Sequence, residues 1–464
     1  MLLRWKTILS KKIDVNIKKN NQSNHGIQAT RIFHVICVTL EAVKSFLVCH
    51  KFLLVCQHLA NPMAGSEFTN HLPVAAASHL LMLAVRNDEE LQRAVSEFPT
   101  TTDIVGPPVE EVREDVIFNA LRSSGSLAIV TGWTEEEILS IYYLLHPHIV
   151  TIRTPGSRPK SSYLDMLLCY LMWARLATDY AVLATAIGNI TASRVEDNIN
   201  RIRPLLRAAL SEKWFGSPLR PTPLHDSPFP HCALIVDGHT TACFRPKARF
   251  QDAKTYWDGK NKMYGLKSEV AVRATAPHYC VAVSPHEPAS KHDYELHKSN
   301  FHRYLDYLLK MPDESSLLPS DAGSRHWAIL CDLGYIGPPH HTPDVRRVHP
   351  VKAPRSYADR QFNEVVGRHR VWVECFFGRL TCKFKILRDV YRWSHLHFDD
   401  DFLICCLLVN ESMEQEGLRQ DENHVYKGIQ AERIRIFEEN QRKRKAQQDA
   451  YRSRKRARLN SGDI

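Results

Sequence analysis

Two apolar runs in the second half of the chain each end in an aspartate. The run CALIVD ends at Asp237, and the run WAILCD ends at Asp332. Apolar runs of this length are typical of buried strands in an α/β sheet. Because an unpaired buried carboxylate is costly, an acid in this position is expected at the edge of the sheet, where open α/β sheets bind their ligands. Taken singly, each aspartate is better explained as a turn or helix-cap residue.

The segments around these runs predict a mixed α/β layer. LKSEVAVRA and HYCVAVS predict a β-hairpin, and YELHKSNFHRYLDYLLK predicts a helix. The segment RSYADRQFNEVVGRHRVWVECFFGRLTCKFKIL predicts one long helix, kinked at most near Gly367 and Gly378. Strands that are followed by helices in this way favour an α/β fold.

A third acid lies inside the long predicted helix. Glu374 stands within VWVECFF, whose apolar residues indicate that this helix packs against another element. Arg370 precedes Glu374 by four residues and therefore lies on the same helix face. The two could equally form an ordinary surface ion pair, worth roughly a few tenths of a kcal/mol. Spacing alone leaves both interpretations open.

The region upstream of the apolar runs is helical in pattern. Thr134 and Glu137 form a capping-box signature, and YLDMLLCYLMWARLA is apolar on all sides, which indicates a buried helix. The proline-rich stretch SPLRPTPLHDSPFPH then marks a boundary. We therefore divide the chain into an unassigned region 1–105, a helical region 106–215, a linker 216–231, an α/β domain 232–412 and a basic tail 413–464.

Two neighbouring segments of the helical region predict a helix-turn-helix. A short helix, DYAVLATAI, ends at Gly188. A second helix begins near Thr191 or Ser193 and ends before Pro204. It would present four polar residues to a DNA groove or its phosphates: Ser193, Arg194, Asn198 and Arg201. The alternative is an ordinary helical hairpin in a bundle.

The composition favours an anionic partner. The 464 residues include 61 Lys and Arg but 51 Asp and Glu, which gives a net charge of +10 and a pI of about 9.0. Nucleic acid or an acidic membrane surface would suit this charge. The apolar segment 31–56 is interrupted by charged residues, so we predict no membrane contact. Twelve cysteines without a CxxC pair favour reduced thiols in the cytosol or nucleus.

The tail contains two basic clusters, RKRK at 442–445 and RSRKRAR at 452–458. Two such clusters separated by a short spacer are typical of a bipartite nuclear-import signal, so we predict a nuclear location. The alternative is a flexible tail that adheres to nucleic acid.

The block from 237 to 387 resembles the DDE superfamily of endonucleases, and within it the Harbinger group of transposases. The resembling stretches are VDGHT, YWDGKNKMYGLKSEVAV, SPHEPASKHD, CDLGYIG and the pattern R-x-x-x-E-x-x-x-G-x-L-x-x-x-F-x-I-L. One departure is the loop before His292, where Pro288 and Ala289 replace the glycine that is usual in relatives. The resemblance implies a ribonuclease-H-like mixed sheet flanked by helices and preceded by an all-α, helix-turn-helix-like region.

The resemblance also implies a metal-dependent DNA endonuclease or transposase. Asp237, Asp332 and Glu374 would be catalytic and would hold two Mg²⁺ or Mn²⁺ ions, and Asp293 in the KHD motif would support them. The main alternative is a domesticated, catalytically silent DNA-binding protein. A metal-dependent phosphoesterase acting on small substrates is a more distant one.

DNA is the partner that this resemblance implies, together with a separate Myb-like DNA-binding protein; a homo-oligomer is left open. Six basic residues flank the expected site and are candidate phosphate contacts, although each is also compatible with an ordinary surface charge: Lys260, Lys262, Lys267, Lys383, Lys385 and Arg388.

Overall fold

A computed structural model describes residues 114–151, 160–188, 190–216, 220–224, 227–312, 314, 324–337 and 345–461. The predictions for region 1–105, including the apolar segment 31–56, lie outside the described residues. Six helices come first: α1 (Val116–Ser123), α2 (Leu127–Thr131), α3 (Glu135–Thr151), α4 (Tyr163–Leu176), α5 (Tyr180–Ile187) and α6 (Ala192–Phe215).

Two predictions for this helical region are confirmed. The Thr134 N–H donates to Glu137 Oε2 over 2.8 Å, and the Glu137 N–H donates to Thr134 Oγ1 over 3.3 Å, so a capping box starts α3. Helix α4 is buried on nearly its whole circumference because neighbouring helices surround it. None of the described helices combines the length and the hydropathy that crossing a bilayer requires.

The two helices predicted as a helix-turn-helix, α5 and α6, are present and pack against each other, but α6 is longer than expected. The α6 helix starts at its N-cap Thr191 and continues through Pro204 to Phe215, so the prediction that it ends before Pro204 is wrong. A proline inside a helix costs about 3 kcal/mol. Beyond it, α6 buries Leu205, Leu206 and Leu210, and each buried leucine contributes roughly 1.5–3 kcal/mol, which outweighs that cost.

A seven-stranded mixed sheet follows the helical region. The β1 strand pairs antiparallel with β3 and parallel with β6, and β6 pairs parallel with β7, whereas β2, β4 and β5 all pair antiparallel with β3. This sheet, with helices packed on it, confirms the predicted ribonuclease-H-like α/β class. The strands are β1 (Cys232–Ala242), β2 (Trp257–Asp258), β3 (Met263–Arg273), β4 (Cys280–Val283), β5 (Glu287–Pro288), β6 (Ala328–Leu330) and β7 (Arg347–Val348).

Asp237 lies in the middle of β1 rather than at its end, which corrects the sequence prediction. The strand continues through GHTTA because β3 offers a continuous partner, from Leu234 opposite Arg273 to Ala242 opposite Gly265. The apolar run marks only the first half of β1, because the second half, from His239 to Ala242, is also buried but contains polar residues.

The remaining helices include two departures from prediction. The helix expected over YELHKSNFHRYLDYLLK is divided at Phe301, where the Asn300 amide donates to the Leu296 carbonyl and competes with the main-chain ladder. The long helix passes through both predicted kink sites, Gly367 and Gly378, and breaks only at Phe384. These helices are α7 (Phe250–Thr255), α8 (Asp293–Asn300), α9 (His302–Leu308), α10 (Tyr357–Lys383), α11 (Lys385–Arg388), α12 (Phe398–Gln415) and α13 (Glu422–Ser461).

Gly378 sets the distance between α10 and α13. A Cβ at this position would overlap the carbonyl oxygen of Glu422, at the first residue of α13. The start of α13 can therefore cross α10 closely, which brings α13 towards the middle of the sheet.

A buried carboxylate joins the helical region to the sheet. Asp401 of α12 is fully buried, and its Oδ1 accepts from Arg203 Nε of α6 over 2.7 Å and from the Tyr170 hydroxyl of α4 over 3.1 Å. The Tyr391 hydroxyl donates to Oδ2 over 2.8 Å. Loss of this carboxylate would leave Arg203 buried, charged and unpaired.

We predict that Asp401→Ala lowers the free energy of unfolding by about 3–5 kcal/mol, because it breaks a buried ion pair. The control is Asp400→Ala, which removes the partner of the half-exposed Arg207 and should cost about 0–1 kcal/mol. Denaturant titration of both variants provides the measurement. Equal losses in the two variants would contradict the assignment of Asp401 as the joint between the two regions.

Candidate active site

Asp237 lies on β1, a central strand of the sheet that pairs with β3 on one side and with β6 on the other. Its Oδ1 accepts the N–H of Gly238 over 2.8 Å, and its Oδ2 accepts from Arg370 Nη2 over 3.2 Å. The side chain is 21 % exposed, so solvent reaches the carboxylate only from one side. The strand therefore presents a fixed, mostly desolvated negative charge to helix α10.

Asp332 follows the end of β6, the strand that runs parallel to β1, and its charge acts on Asp237. Ile235 of β1 pairs with Leu330 of β6, and each aspartate follows its member of that pair by two residues. Asp332 Oδ1 accepts the N–H of Leu333 over 2.7 Å and thereby caps a short 3₁₀ helix, Leu333–Tyr335. Asp332 is therefore also a helix cap, which was the alternative interpretation of this residue.

Asp293 occupies a space that two glycines leave open. A Cβ at Gly334 would lie 2.5 Å from Asp293 Oδ2, and a Cβ at Gly238 would lie 3.2 Å from Oδ1. These are the glycines that follow Asp332 and Asp237, so their lack of side chains admits a further carboxylate beside both aspartates. Asp293 does not cap α8, because His292 does, and Lys267 Nζ lies 2.5 Å from its Oδ1.

Glu374 faces this group from helix α10. Its Oε1 lies 3.7 Å from Arg370 Nη1, and its Oε2 lies 2.8 Å from Lys427 Nζ of α13. The side chain is 19 % exposed, which is less than a free surface pair would be. The i,i+4 pair with Arg370 therefore exists, but it is part of a larger cluster.

Arg370 is the cation at the centre of the cluster. Its guanidinium contacts Asp237 with one terminal nitrogen and Glu374 with the other, and the side chain is only 12 % exposed. Burial opposes the charge, but the carboxylates of Asp237, Asp332 and Glu374 outweigh it and raise the pKa of Arg370 above its usual value. Acids from β1, from the segment after β6 and from α10 thus act on one positive charge.

The electrostatics of Asp237 show that this compensation is incomplete. Burial raises the pKa of Asp237, and the nearby charges of Asp293 and Asp332 raise it further. Arg370 and the N–H of Gly238 oppose these effects without cancelling them. A further positive charge beside Asp237 would therefore favour its ionised form.

The donor chemistry of the cluster fits a divalent cation. Carboxylate oxygens are the ligands that Mg²⁺ and Mn²⁺ prefer, and a guanidinium is already located among them. In the positions that the described residues adopt, no three acidic, histidine or cysteine side chains converge on one ion. Asp237, Asp332 and Glu374 are the residues that could hold an ion, with Asp293 next to them.

Two lysines pair with acids of the cluster, and neither pairing was predicted from the sequence. Lys427 lies 53 positions after Glu374, and only the crossing of α13 over α10 brings it there. Lys267 was predicted as a phosphate contact, but it pairs with Asp293 instead. The glycines after Asp237 and Asp332 were the sequence signal for a close approach at this site.

The predicted helix-turn-helix contacts divide into three groups. Asn198 is 1 % exposed and its amide donates to Cys169 Sγ, so the prediction that it faces DNA is wrong. Arg201 is partly exposed and pairs with Asp197 over 2.9 Å. Ser193 is exposed and Arg194 is partly exposed, at the start of α6.

The other predicted phosphate contacts also differ in their surroundings. Lys260 and Lys262 are exposed, and Lys385 and Arg388 are partly exposed on α11. Lys383 Nζ lies 3.8 Å from the ring centroid of Trp133, and burial lowers the pKa of Lys383 to about 8. The structure thus gives the partly buried Lys383 contacts with the helical region, and its role as a phosphate contact stays a prediction.

Residues 236–410 match a family model described as DDE superfamily endonuclease. The matched segment starts one residue before Asp237 and also includes Asp293, Asp332, Arg370 and Glu374. No curated protein and no solved structure matches the chain. Domains of this family typically use divalent metal ions.

We predict that Arg370→Ala makes the protein depend on a divalent cation for stability. The variant removes the cation that separates the carboxylates, so added Ca²⁺ or Mg²⁺ should raise its melting temperature by several degrees more than that of the unaltered protein. Differential scanning fluorimetry against cation concentration provides the measurement.

The matched control for this prediction is Arg368→Ala, on the same helix. Arg368 and its partner Glu364 are 70 % and 63 % exposed, so this change should leave the cation response unaltered. If Arg370→Ala also responds like the unaltered protein, the cluster is not a cation site.

Proposed function

Since residues 236–410 form a DDE superfamily endonuclease domain, we propose that the protein cleaves phosphodiester bonds of DNA with the help of two divalent metal ions. One observation carries the proposal: Arg370 contacts both Asp237 and Glu374, and the charge of Asp332 also acts on it, although the three acids come from separate elements. A surface ion pair needs only two partners, whereas phosphodiester hydrolysis by two metal ions needs several carboxylates close to one another.

Each residue of the site has a separate role in the proposed reaction. Asp237, Asp332 and Glu374 would hold the ions, and β1 and α10 fix two of these carboxylates on rigid elements. When bound, the ions activate a water and stabilise the departing oxygen. Asp293 and its partner Lys267 hold the edge of the site in place. Arg370 and Lys427 offer guanidinium and ammonium donors to a phosphate that enters beside Glu374.

DNA is the substrate that the charge distribution supports. The net charge is +10, and the outer part of α13 carries exposed arginines and lysines on a helix that also contributes Lys427 to the site. A polyanion lying along α13 would therefore lead to the carboxylates. In a transposase, the freed 3′-hydroxyl would then attack target DNA by the same chemistry, and a Myb-like protein would supply further sequence recognition.

A nuclear location is part of the same proposal. The described residues of both basic clusters, among them Arg444 and Arg452, are exposed along α13 and accessible to an import receptor. Residues 442–458 fused to a fluorescent reporter should enter the nucleus. A reporter that stays cytoplasmic would remove this part of the proposal.

We predict that Asp237→Ala reduces Mg²⁺- or Mn²⁺-dependent nicking of plasmid DNA by on the order of 10³-fold or more, because it removes a charge-stabilising group from the reacting centre. Asp237→Asn keeps the shape of the side chain and should be equally inactive. The control is Asp252→Ala, an exposed acid of α7 outside the cluster. Nicking that survives in both Asp237 variants would refute the proposal, as would hydrolysis of a nucleotide monoester without cleavage of duplex DNA.

A second candidate is a catalytically silent DNA-binding protein. It is favoured by the position of Arg370, whose guanidinium joins Asp237 to Glu374, the two acids that a metal ion would have to share. In that case DNA binding would be salt-sensitive, cleavage would be absent, and the acid variants would bind DNA like the unaltered protein.

A further inference from the structure

A concave surface lies between the β2–β3 hairpin and the middle of α13. Its volume is about 540 Å³, within the range of about 300–1,000 Å³ that is typical of ligand sites. We call it the hairpin cleft. Its lining includes three aromatic and three basic residues: Phe250, Trp257 and Phe437, and Lys254, Lys262 and Arg444.

The aromatic residues of the hairpin cleft form a stacking surface. The Trp257 ring lies 5.2 Å from the Tyr264 ring and 5.4 Å from the Phe437 ring, so the hairpin and α13 meet through aromatic contacts. Phe250 at the edge is 68 % exposed, and the Arg245 guanidinium lies 5.6 Å from its ring centroid. An exposed ring beside a guanidinium can accept a flat, electron-rich group such as a nucleobase.

The charged residues of the hairpin cleft are all basic. Lys254, Lys262 and Arg444 line it, and none of the described lining residues is acidic. Lys262 is held by a tight turn in which Asp258 Oδ1 accepts the N–H groups of Lys260 and Asn261 over 2.8 and 2.9 Å. Lys262 itself has φ = 55°, a left-handed conformation that side-chain-bearing residues avoid. The turn therefore fixes the backbone of Lys262, whose exposed side chain lines the cleft.

We propose that the hairpin cleft binds unpaired nucleotides of a DNA strand, with a base stacked on the aromatic surface and phosphates at the three cations. Single-stranded nucleic acid is bound by this combination of a basic groove and exposed aromatic rings. Bases inside a duplex are already stacked on their neighbours, so duplex DNA cannot use the aromatic surface in the same way. The proposal rests on the proposed function for its substrate and adds a separate binding subsite.

The cleft and the carboxylate cluster share one helix. Lys427 of α13 contacts Glu374, and Phe437 and Arg444 follow it by ten and seventeen residues. At 1.5 Å per residue these positions lie about 15 and 25 Å along the helix. A strand that leaves the cluster would cover this distance with about 4–7 nucleotides at 3.4 Å each. The cleft is thus placed to hold a strand that has separated from its complement near the cut.

The test measures binding of the full-length protein to a fluorescein-labelled 12-nucleotide DNA strand and to the matching duplex, by anisotropy in EDTA. Phe250→Ala should weaken binding of the strand about tenfold, because one base–aromatic contact is lost, and should change duplex binding less than twofold. Removing the base at one position of the strand should weaken the unaltered protein and have no further effect on Phe250→Ala. An unchanged melting temperature confirms that the exposed Phe250 is not needed for folding.

The chain offers a matched control for each change. Phe244 is 62 % exposed in the same connection but does not line the cleft, so Phe244→Ala should bind both DNA forms normally. Arg444→Gln should lower the slope of log affinity against log salt concentration by about 0.7 for the strand, as expected for one lost phosphate contact. Arg360→Gln, at an exposed arginine of α10 that does not line the cleft, should leave that slope unchanged. The proposal is overturned if Phe244→Ala weakens strand binding as much as Phe250→Ala. It is also overturned if Arg444→Gln and its control lower the salt slope equally.

Binding of the strand to the hairpin cleft can be distinguished from cleavage of DNA. Asp237→Ala should lose nicking but keep the affinity for the strand, because Asp237 is outside the cleft. Selective strand binding without any nicking would refute the proposed nuclease activity and support the cleft. Nicking with a Phe250→Ala variant that binds the strand normally would overturn the cleft and leave the nuclease proposal intact.

Discussion

Repulsion between carboxylates is the constraint on which this site depends. Asp237, Asp293 and Asp332 form one group of acids, Arg370 links Glu374 to it, and burial strengthens the mutual repulsion of the carboxylates. Such a group persists only if a positive charge stands among its members. In this structure Arg370 has that position, where it contacts Asp237 and Glu374, and the charges of these acids and of Asp332 raise its pKa.

The fold supplies this arrangement through backbone positions rather than through loops. The parallel pairing of β1 with β6 places Asp237 and Asp332 at equivalent positions. Gly238 and Gly334 leave the space that Asp293 fills, and Gly378 lets α13 pass close enough to α10 for Lys427 to contact Glu374. The helical region stabilises the other face of α12 through Asp401, so the two parts of the chain share one packed unit.

The sequence indicates the acids of the site but not the residues that contact them. Apolar runs located Asp237 and Asp332, yet only the pairing with β3 shows that β1 continues beyond Asp237. The contact of Arg370 with Asp237 spans 133 positions, which no local pattern can reveal. The burial of Asn198 is predictable from the sequence, because this residue follows Val195 by three positions and precedes Ile202 by four, on the buried face of α6. The hairpin cleft combines residues that are distant along the chain, so only the fold brings them together.

The central claim is that three distant carboxylates form a cation site that Arg370 now occupies. The most direct measurement is an anomalous difference map from crystals grown with Mn²⁺, whose scattering identifies the ion without reference to activity. The account predicts manganese peaks within ligand distance of Asp237, Asp332 and Glu374, with the Arg370 guanidinium displaced from between Asp237 and Glu374. A map without manganese there at saturating concentration, and with Arg370 still bridging the two acids, would contradict it.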